Sequence, residues 1–257
     1  MDLSFLERVP AYLRKGPWTF EAYLTIALFG AYIVYSHANS DPCVYKPDLI
    51  TDSFSWLQTF RLIVGFYMLC FTIIFIRATG YFPLISYTML SWNILTMRLL
   101  TAYLAASNHS PSLLSLFRRI TAILKFPALV MNTVTVLVWW FILVPVISYF
   151  MSDTKAKNAF SKFNRSVPLL NIHALNLPIA AAEFLWTGIR LEYPDMHSAL
   201  VICFLYMMFY LLVLDARGIQ IYIIFTPRTR WCIVIFSLIP MLYLGTFASW
   251  NGLLKHI

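Results

Sequence analysis

The sequence predicts an all-α protein, a polytopic transmembrane helical bundle with about seven spans and no soluble domain. Of its 257 residues 60% are hydrophobic and 12% are charged, and the mean hydropathy is +0.73. A soluble domain has no interior large enough to hide that much apolar surface. The apolar residues also gather in stretches close to the roughly 20 residues that a helix needs to cross a hydrocarbon core. Helices satisfy their own backbone polar groups there, so these stretches are predicted to be helical.

The predicted elements account for nearly the whole chain. Spans are expected at 19–37, 55–76, 83–106, 123–150, 167–187, 198–214 (with a possible continuation to 225) and 231–254. The preceding segment, 1–18, is amphipathic and carries Trp18, a residue suited to the membrane interface. We therefore expect an amphipathic cytosolic segment at 1–18, followed by a single transmembrane domain at 19–257.

The net charge of +8 is spread over short loops rather than gathered into a patch for nucleic acid. Eleven Lys and Arg residues fall in the N-terminal segment and the second, fourth and sixth loops, against five on the opposite side. This asymmetry predicts a cytosolic N-terminus. The endoplasmic reticulum or another endomembrane is the expected location.

Two predicted spans carry polar stripes with matching spacing. The residues of each stripe recur at helical intervals and so face a single neighbour: Thr88, Ser91 and Arg98 in one span, His173, Asn176 and Glu183 in the other. The ten-residue step from the first to the last member is the same in both. If the helices run parallel, a hydroxyl lies beside His173, and Arg98 meets Glu183 about 15 Å deeper. A second arginine within a span, Arg61, has no evident partner and is expected to snorkel or to mark a lipid-headgroup site.

His173 is the one histidine within a predicted span. Pro178 follows it and loosens the helix one turn away, because proline lacks a backbone N–H and crowds the carbonyl of Ala174. The sequence has no G-x-S-x-G, no H-E-x-x-H, no phosphate-binding glycine loop and no paired cysteines for zinc. No metal or cofactor is therefore expected. Spacing alone leaves two roles open for His173, interhelical hydrogen bonding and catalysis.

Several motifs in order along residues 80–225 suggest a family. These are Phe126-Pro127, Trp139-Trp140, the run from His173 through Pro178 to Glu183, Tyr193-Pro194 and Gly218-x-x-x-Tyr222. In this order they resemble the androgen-induced membrane protein family, and the tryptophan-bearing span and His173-Ala174-Leu175-Asn176 are also similar to the related Rolling stone group. One departure is Ile223, which stands where the family pattern has proline after the tyrosine.

The resemblance implies an intramembrane hydrolase of fatty-acid esters of hydroxy fatty acids, with a threonine nucleophile and His173 as its base. The implied partners are a lipid or fatty-acyl ester and the membrane, with no nucleic acid. Thr88 and Ser91 lie at the depth of His173 and both remain candidates for the nucleophile. Thr59 fits the motif superficially, but topology places it at the opposite side of the membrane. Asn176, one turn from His173, either donates to the oxyanion or only ties helices together.

A second hypothesis is a non-enzymatic membrane protein, either a catalytically silent relative or a subunit of a larger assembly. It would keep the polar stripes as packing elements. A small-solute transporter is a weaker third hypothesis, because the sequence shows no inverted repeat and no pair of helices broken at the midplane. A hydroxyl within reach of His173, beside an apolar cavity, would favour the hydrolase.

Overall fold

A computed structural model describes residues 11–39, 56–107, 110–151, 153–222 and 225–255, and the regular structure within these ranges is entirely helical. A single helical turn, Ala11–Arg14, comes first. Ten helices of seven or more residues follow in the described part of the chain: α1 Phe20–Asn39, α2 Trp56–Thr79, α3 Tyr87–Ser107, α4 Pro111–Ile123, α5 Lys125–Leu137, α6 Val144–Phe150, α7 Thr154–Asn164, α8 Asn176–Thr187, α9 Tyr193–Phe209 and α10 Cys232–Leu253. The predicted all-α class is confirmed.

Five helical segments of the described chain are long and apolar enough to cross a membrane: Trp56–Thr79, Pro111–Tyr149, Val167–Thr187, Tyr193–Arg217 and Cys232–Leu253. This supports an integral, multi-pass membrane protein, whereas the expected count of about seven spans is not confirmed. The two remaining predicted spans correspond to α1 and α3, helices of 20 and 21 residues.

Helix α3 lies at the centre of the bundle, in contact with α2, α4, α5 and α8. Eleven of its 21 residues are buried, against five of the 24 in α2. A helix surrounded by other helices does not need an apolar surface toward lipid, which explains why α3 can carry so many polar residues. It runs antiparallel to the α4–α5 segment, since Thr101 contacts Thr121 while Ser91 contacts Thr135.

Three π-helical turns interrupt the helices, at Val138–Leu143, Asn171–Leu175 and Tyr210–Leu214. The first two are followed by Pro145 and Pro178, each of which removes a backbone donor and crowds the carbonyl four residues earlier. The helix widens locally to accommodate this, and single π-turns of this kind are frequent at functional sites. The predicted loosening beside His173 is therefore present in the structure.

The described part of the N-terminal segment is tied to the loop that follows α9. The Trp18 indole donates to Asp215 at 3.1 Å, and the Gln220 side chain donates to the Leu13 carbonyl at 2.7 Å. Arg228 forms two hydrogen bonds with the same Asp215 carboxylate, at 2.5 and 2.9 Å. Residues 1–10 of the expected amphipathic segment lie outside the described ranges.

Candidate functional site

The two polar stripes meet along the α3–α8 contact. At one end, Thr88 Oγ1 lies 3.4 Å from His173 Nε2. At the other end, Arg98 Nε lies 3.1 Å from Glu183 Oε2. The members pair in the same order along both chains, so α3 runs parallel to the segment of His173 and α8. The predicted ion pair between Arg98 and Glu183 is confirmed.

Two tryptophans from the facing π-turn contact His173, one at its imidazole and the other at its backbone carbonyl. Its ring stacks on Trp139 with centroids 3.9 Å apart and planes 18° apart, and the side chain is buried, with the residue 6% exposed. Trp140 Nε1 donates to the His173 backbone carbonyl at 2.6 Å. The second ring nitrogen, Nδ1, lies toward the Leu169 carbonyl without forming a hydrogen bond of good geometry. A proton on Nδ1 is compatible with this neighbour and leaves the Nε2 lone pair facing Thr88.

An apolar cavity of about 250 Å³ opens beside Thr88. Its wall comes from α3, α5, α9, α10 and the Val138–Leu143 turn, and includes Trp139. Two lining residues, Ile142 and Leu238, are exposed, so the cavity reaches the surface between that turn and α10. A groove of about 590 Å³ between α5 and α10 shares Leu238 and Leu242 with the cavity and extends it along the helix surface.

Ser91 and Asn176, the other two candidate catalytic residues, form hydrogen bonds within the helix bundle and none with His173. Ser91 Oγ donates to the Thr88 carbonyl at 2.7 Å and does not reach His173. The Asn176 amide donates to Asn132 Oδ1 at 2.8 Å, while its own oxygen accepts from the next backbone N–H. Asn132 in turn donates to the Ser91 carbonyl at 3.1 Å. These side chains form a buried network that joins α3, α5 and α8.

Glu183 accepts hydrogen bonds from two arginines rather than one. Arg61 Nη2 lies 2.8 Å from its Oε1, so the expectation that Arg61 lacks a partner is wrong. All three charged side chains are nearly inaccessible, with relative exposures of 4% or less. Thr59 is exposed on α2, two residues before Arg61, and so belongs to this end of the bundle and not to that of His173.

Sequence reasoning did not assign a role to Tyr222, which lines the cavity with Thr88. Its hydroxyl accepts a hydrogen bond from the Tyr87 backbone N–H at 3.1 Å. The same oxygen faces the hydroxyl groups of Thr88 and Ser86. The Gly218-x-x-x-Tyr222 motif drew attention to this tyrosine in the sequence. Spacing within a loop, however, does not specify which helix the side chain reaches.

Chemically, the arrangement places the Thr88 hydroxyl and the Tyr222 phenol in the wall of an apolar cavity, with the His173 imidazole in contact with Thr88 but outside that lining. Among the described residues, no group of three or more His, Cys, Asp or Glu side chains is arranged to hold a metal ion. No family model, curated protein or solved structure matches this chain. A functional assignment therefore depends on the chemistry of these side chains and on the motifs in the sequence.

Proposed function

We propose that the protein is an intramembrane lipid-ester hydrolase in which Thr88 is the nucleophile and His173 the general base. The observation that carries the proposal is the 3.4 Å approach of Thr88 Oγ1 to His173 Nε2 beside an apolar cavity. Nucleophile–base contacts are often longer than an ideal hydrogen bond before substrate binds. The choice of Thr88 over Ser91 rests on the same geometry, since the Ser91 hydroxyl is used in the network with the backbone of α3.

In the first half-reaction, Thr88 Oγ forms a bond to the carbonyl carbon of the ester while its proton passes to His173 Nε2. The carbonyl electron pair moves to oxygen. Collapse of this intermediate breaks the bond to the leaving alkoxide, which takes the proton from His173. In the second half-reaction, water attacks the acyl-Thr88 ester with the same base, and Thr88 regains its proton as the carboxylic acid leaves.

The expected substrate is an ester with a fatty-acyl chain. A chain of this kind needs a dry lining, and the cavity together with the groove along α10 offers an apolar one that reaches the surface of the bundle. Lateral entry from the lipid follows from the exposed position of Ile142 and Leu238. The charge bias of the loops favours a cytosolic N-terminus, and on that topology this end of the bundle faces the cytosolic leaflet. An endomembrane is the proposed location. Membership in the androgen-induced membrane protein family is part of the same proposal.

The direct test is hydrolysis of 4-nitrophenyl decanoate by the purified full-length protein in detergent. Thr88→Ala and His173→Ala should each lower kcat by at least about 10³-fold, because the members of a nucleophile–base pair act as a unit. Ser91→Ala is the matched control, a hydroxyl removed one turn away on the same helix, and should stay within a few-fold of wild type. Equal loss in all three variants would contradict the assignment.

A second candidate function is a non-enzymatic role in a membrane assembly. The observation that favours it is the use of Ser91 and Asn176 in hydrogen bonds within and between helices, which gives part of the polar stripe a packing role. On this hypothesis the Thr88 and His173 variants would alter stability or assembly without any esterase activity to lose.

A further inference from the structure

We propose that Tyr222 stabilises the oxyanion formed when Thr88 attacks the ester, an inference that rests on the proposed function. An ester carbonyl becomes negatively charged at oxygen during attack, and hydrogen-bond donors aimed at that oxygen contribute much of the rate enhancement in acyl transfer. Asn176, one of whose two roles open from the sequence was that of oxyanion donor, is engaged with Asn132. The cavity therefore requires another donor, and Tyr222 is placed to provide it.

The backbone around Tyr222 is held by the π-turn that follows α9. The chain reverses at Gly218, whose φ of 72° lies in the left-handed region that favours glycine. The Tyr210 hydroxyl then accepts from the Tyr222 backbone N–H at 3.0 Å and donates to its carbonyl at 3.1 Å. This bridge fixes Tyr222 although it lies in a loop, and positions its ring in the wall of the cavity.

The hydrogen bonds at the phenol oxygen determine where its proton goes. The Tyr87 N–H donates to this oxygen, so the phenol is an acceptor in that contact and must direct its own hydrogen elsewhere. The Ser86 hydroxyl donates to the Pro83 carbonyl and accepts from the Met89 N–H, which uses its hydrogen and one of its two acceptor positions. The destinations open to the Tyr222 hydrogen are therefore Ser86 Oγ, Thr88 Oγ1 and the cavity, and donation to Thr88 Oγ1 is the one that serves the reaction.

Before substrate binds, donation from Tyr222 to Thr88 Oγ1 leaves the threonine hydrogen free to point at His173. Once Thr88 attacks, its oxygen becomes an ester oxygen and accepts hydrogen bonds poorly. The phenol hydrogen then turns to the new oxyanion, which lies one bond beyond the carbon that Thr88 has reached. No proton leaves Tyr222 in this step, because phenols lose their proton only near pH 10.

The N-terminus of α3 also stabilises the oxyanion electrostatically. Tyr87 and Thr88 are the first two residues of this 21-residue helix, whose N-terminus carries a partial positive charge from unpaired backbone N–H groups. The Tyr87 N–H polarises the phenol by hydrogen bonding to its oxygen, which makes the phenol a stronger donor. A developing negative charge at this point is stabilised by both groups.

The test compares Tyr222→Phe with wild type in the hydrolysis of 4-nitrophenyl decanoate. Loss of one oxyanion donor should lower kcat by about 10²–10³-fold while KM changes by less than about three-fold. Affinity for a long-chain alkyl trifluoromethyl ketone, which forms a tetrahedral adduct with a serine or threonine hydroxyl, should fall by a similar factor. Tyr243→Phe is the matched control, because this buried phenol pairs with the Tyr87 hydroxyl at 2.7 Å and does not line the cavity.

The inference is overturned if Tyr222→Phe retains kcat within about three-fold, or if its loss appears only in KM. It is also overturned if Tyr243→Phe lowers kcat as much, since the effect would then arise from general loosening around α3. A wild-type protein that neither hydrolyses the ester nor binds the ketone would remove the proposed function and this inference together. Retained activity in Tyr222→Phe with loss in Thr88→Ala would remove this inference alone.

Discussion

The two ends of the α3–α8 contact use the same helical spacing for opposite purposes. At the Thr88 end, two neutral groups approach to 3.4 Å beside a cavity of about 250 Å³. At the Glu183 end, one carboxylate binds two arginines at 2.8 and 3.1 Å, and the three side chains are almost completely buried. The Thr88 end therefore has space for a ligand and hydrogen-bonding groups that are not fully used. The Glu183 end is filled by strongly paired charges.

This difference explains how a membrane bundle can hold a reactive pair in place. Charges buried in a membrane protein are costly unless they are paired, so the Glu183 cluster fixes the register of α2, α3 and α8. Once that register is fixed, Thr88 and His173 face each other without a strong interaction of their own. The comparison predicts large stability effects at the Glu183 end and large activity effects at the Thr88 end.

The largest expected stability effect follows from Glu183→Gln. The substitution leaves both Arg61 and Arg98 without their counter-charge, and stranding a buried charge typically costs about 3–5 kcal/mol. Arg98→Met should cost less, because Arg61 still neutralises the carboxylate. Thermal unfolding in detergent, followed by tryptophan fluorescence, measures these differences.

The triple variant Arg61→Met, Arg98→Met, Glu183→Gln is the control for this cluster. Since it removes all three charges together, it should be more stable than Glu183→Gln alone. A triple variant as unstable as the single one would show that the side chains contribute packing rather than charge pairing, and the contrast between the two ends would be lost.

An intermediate effect is expected in the network between the ends. Asn176→Leu leaves Asn132 Oδ1 without its donor, and an unsatisfied buried polar group costs about 1–3 kcal/mol. Asn132→Leu should be equally destabilising, since it breaks the same contact from the other side. If Asn176→Leu instead lowers kcat by 10²-fold at unchanged thermal stability, Asn176 is an oxyanion donor after all and belongs to the reactive end.

The smallest expected effect is that of Trp140→Phe, which removes the hydrogen bond to the His173 carbonyl while keeping an aromatic ring. One such bond contributes about 0.5–1.5 kcal/mol to stability. Because the carbonyl belongs to the π-turn that presents the imidazole, kcat should fall several-fold more than in Trp186→Phe. Trp186 is a tryptophan of α8 that makes an edge-to-face contact with Trp56 and does not line the cavity. Equal activity in the two variants would show that the π-turn holds His173 without this bond.

The sequence was sufficient to predict the parallel α3–α8 contact, because equal helical steps in two stripes constrain the register. It did not reveal that Arg61 completes the Glu183 cluster, since the spacing within one span says nothing about which third helix lies alongside. The imbalance of two arginines and one glutamate in the interior of the predicted spans is the feature of the sequence that points to a shared carboxylate. The partner of Asn176 was missed for the same reason, as Asn132 belongs to a helix without a stripe of its own.

The pair Trp139-Trp140 is one of the motifs of the sequence, but the motif does not predict which residues the two tryptophans contact. Trp139 and Trp140 are adjacent in sequence and would point to different faces of a regular α-helix. Both reach His173 because they lie in the Val138–Leu143 π-turn, where the helix is wider. The expected count of about seven spans is not confirmed, and one of the two helices outside the five apolar segments is α3, which is enclosed by other helices.

The central claim is tested most directly by labelling the protein in native membranes with a long-chain fluorophosphonate and locating the adduct by mass spectrometry. The account predicts one adduct on Thr88, absent in His173→Ala and retained in Ser91→Ala, because activation depends on the imidazole that faces Thr88. An adduct on Ser91, or labelling of Thr88 that is equally strong in His173→Ala, would contradict it.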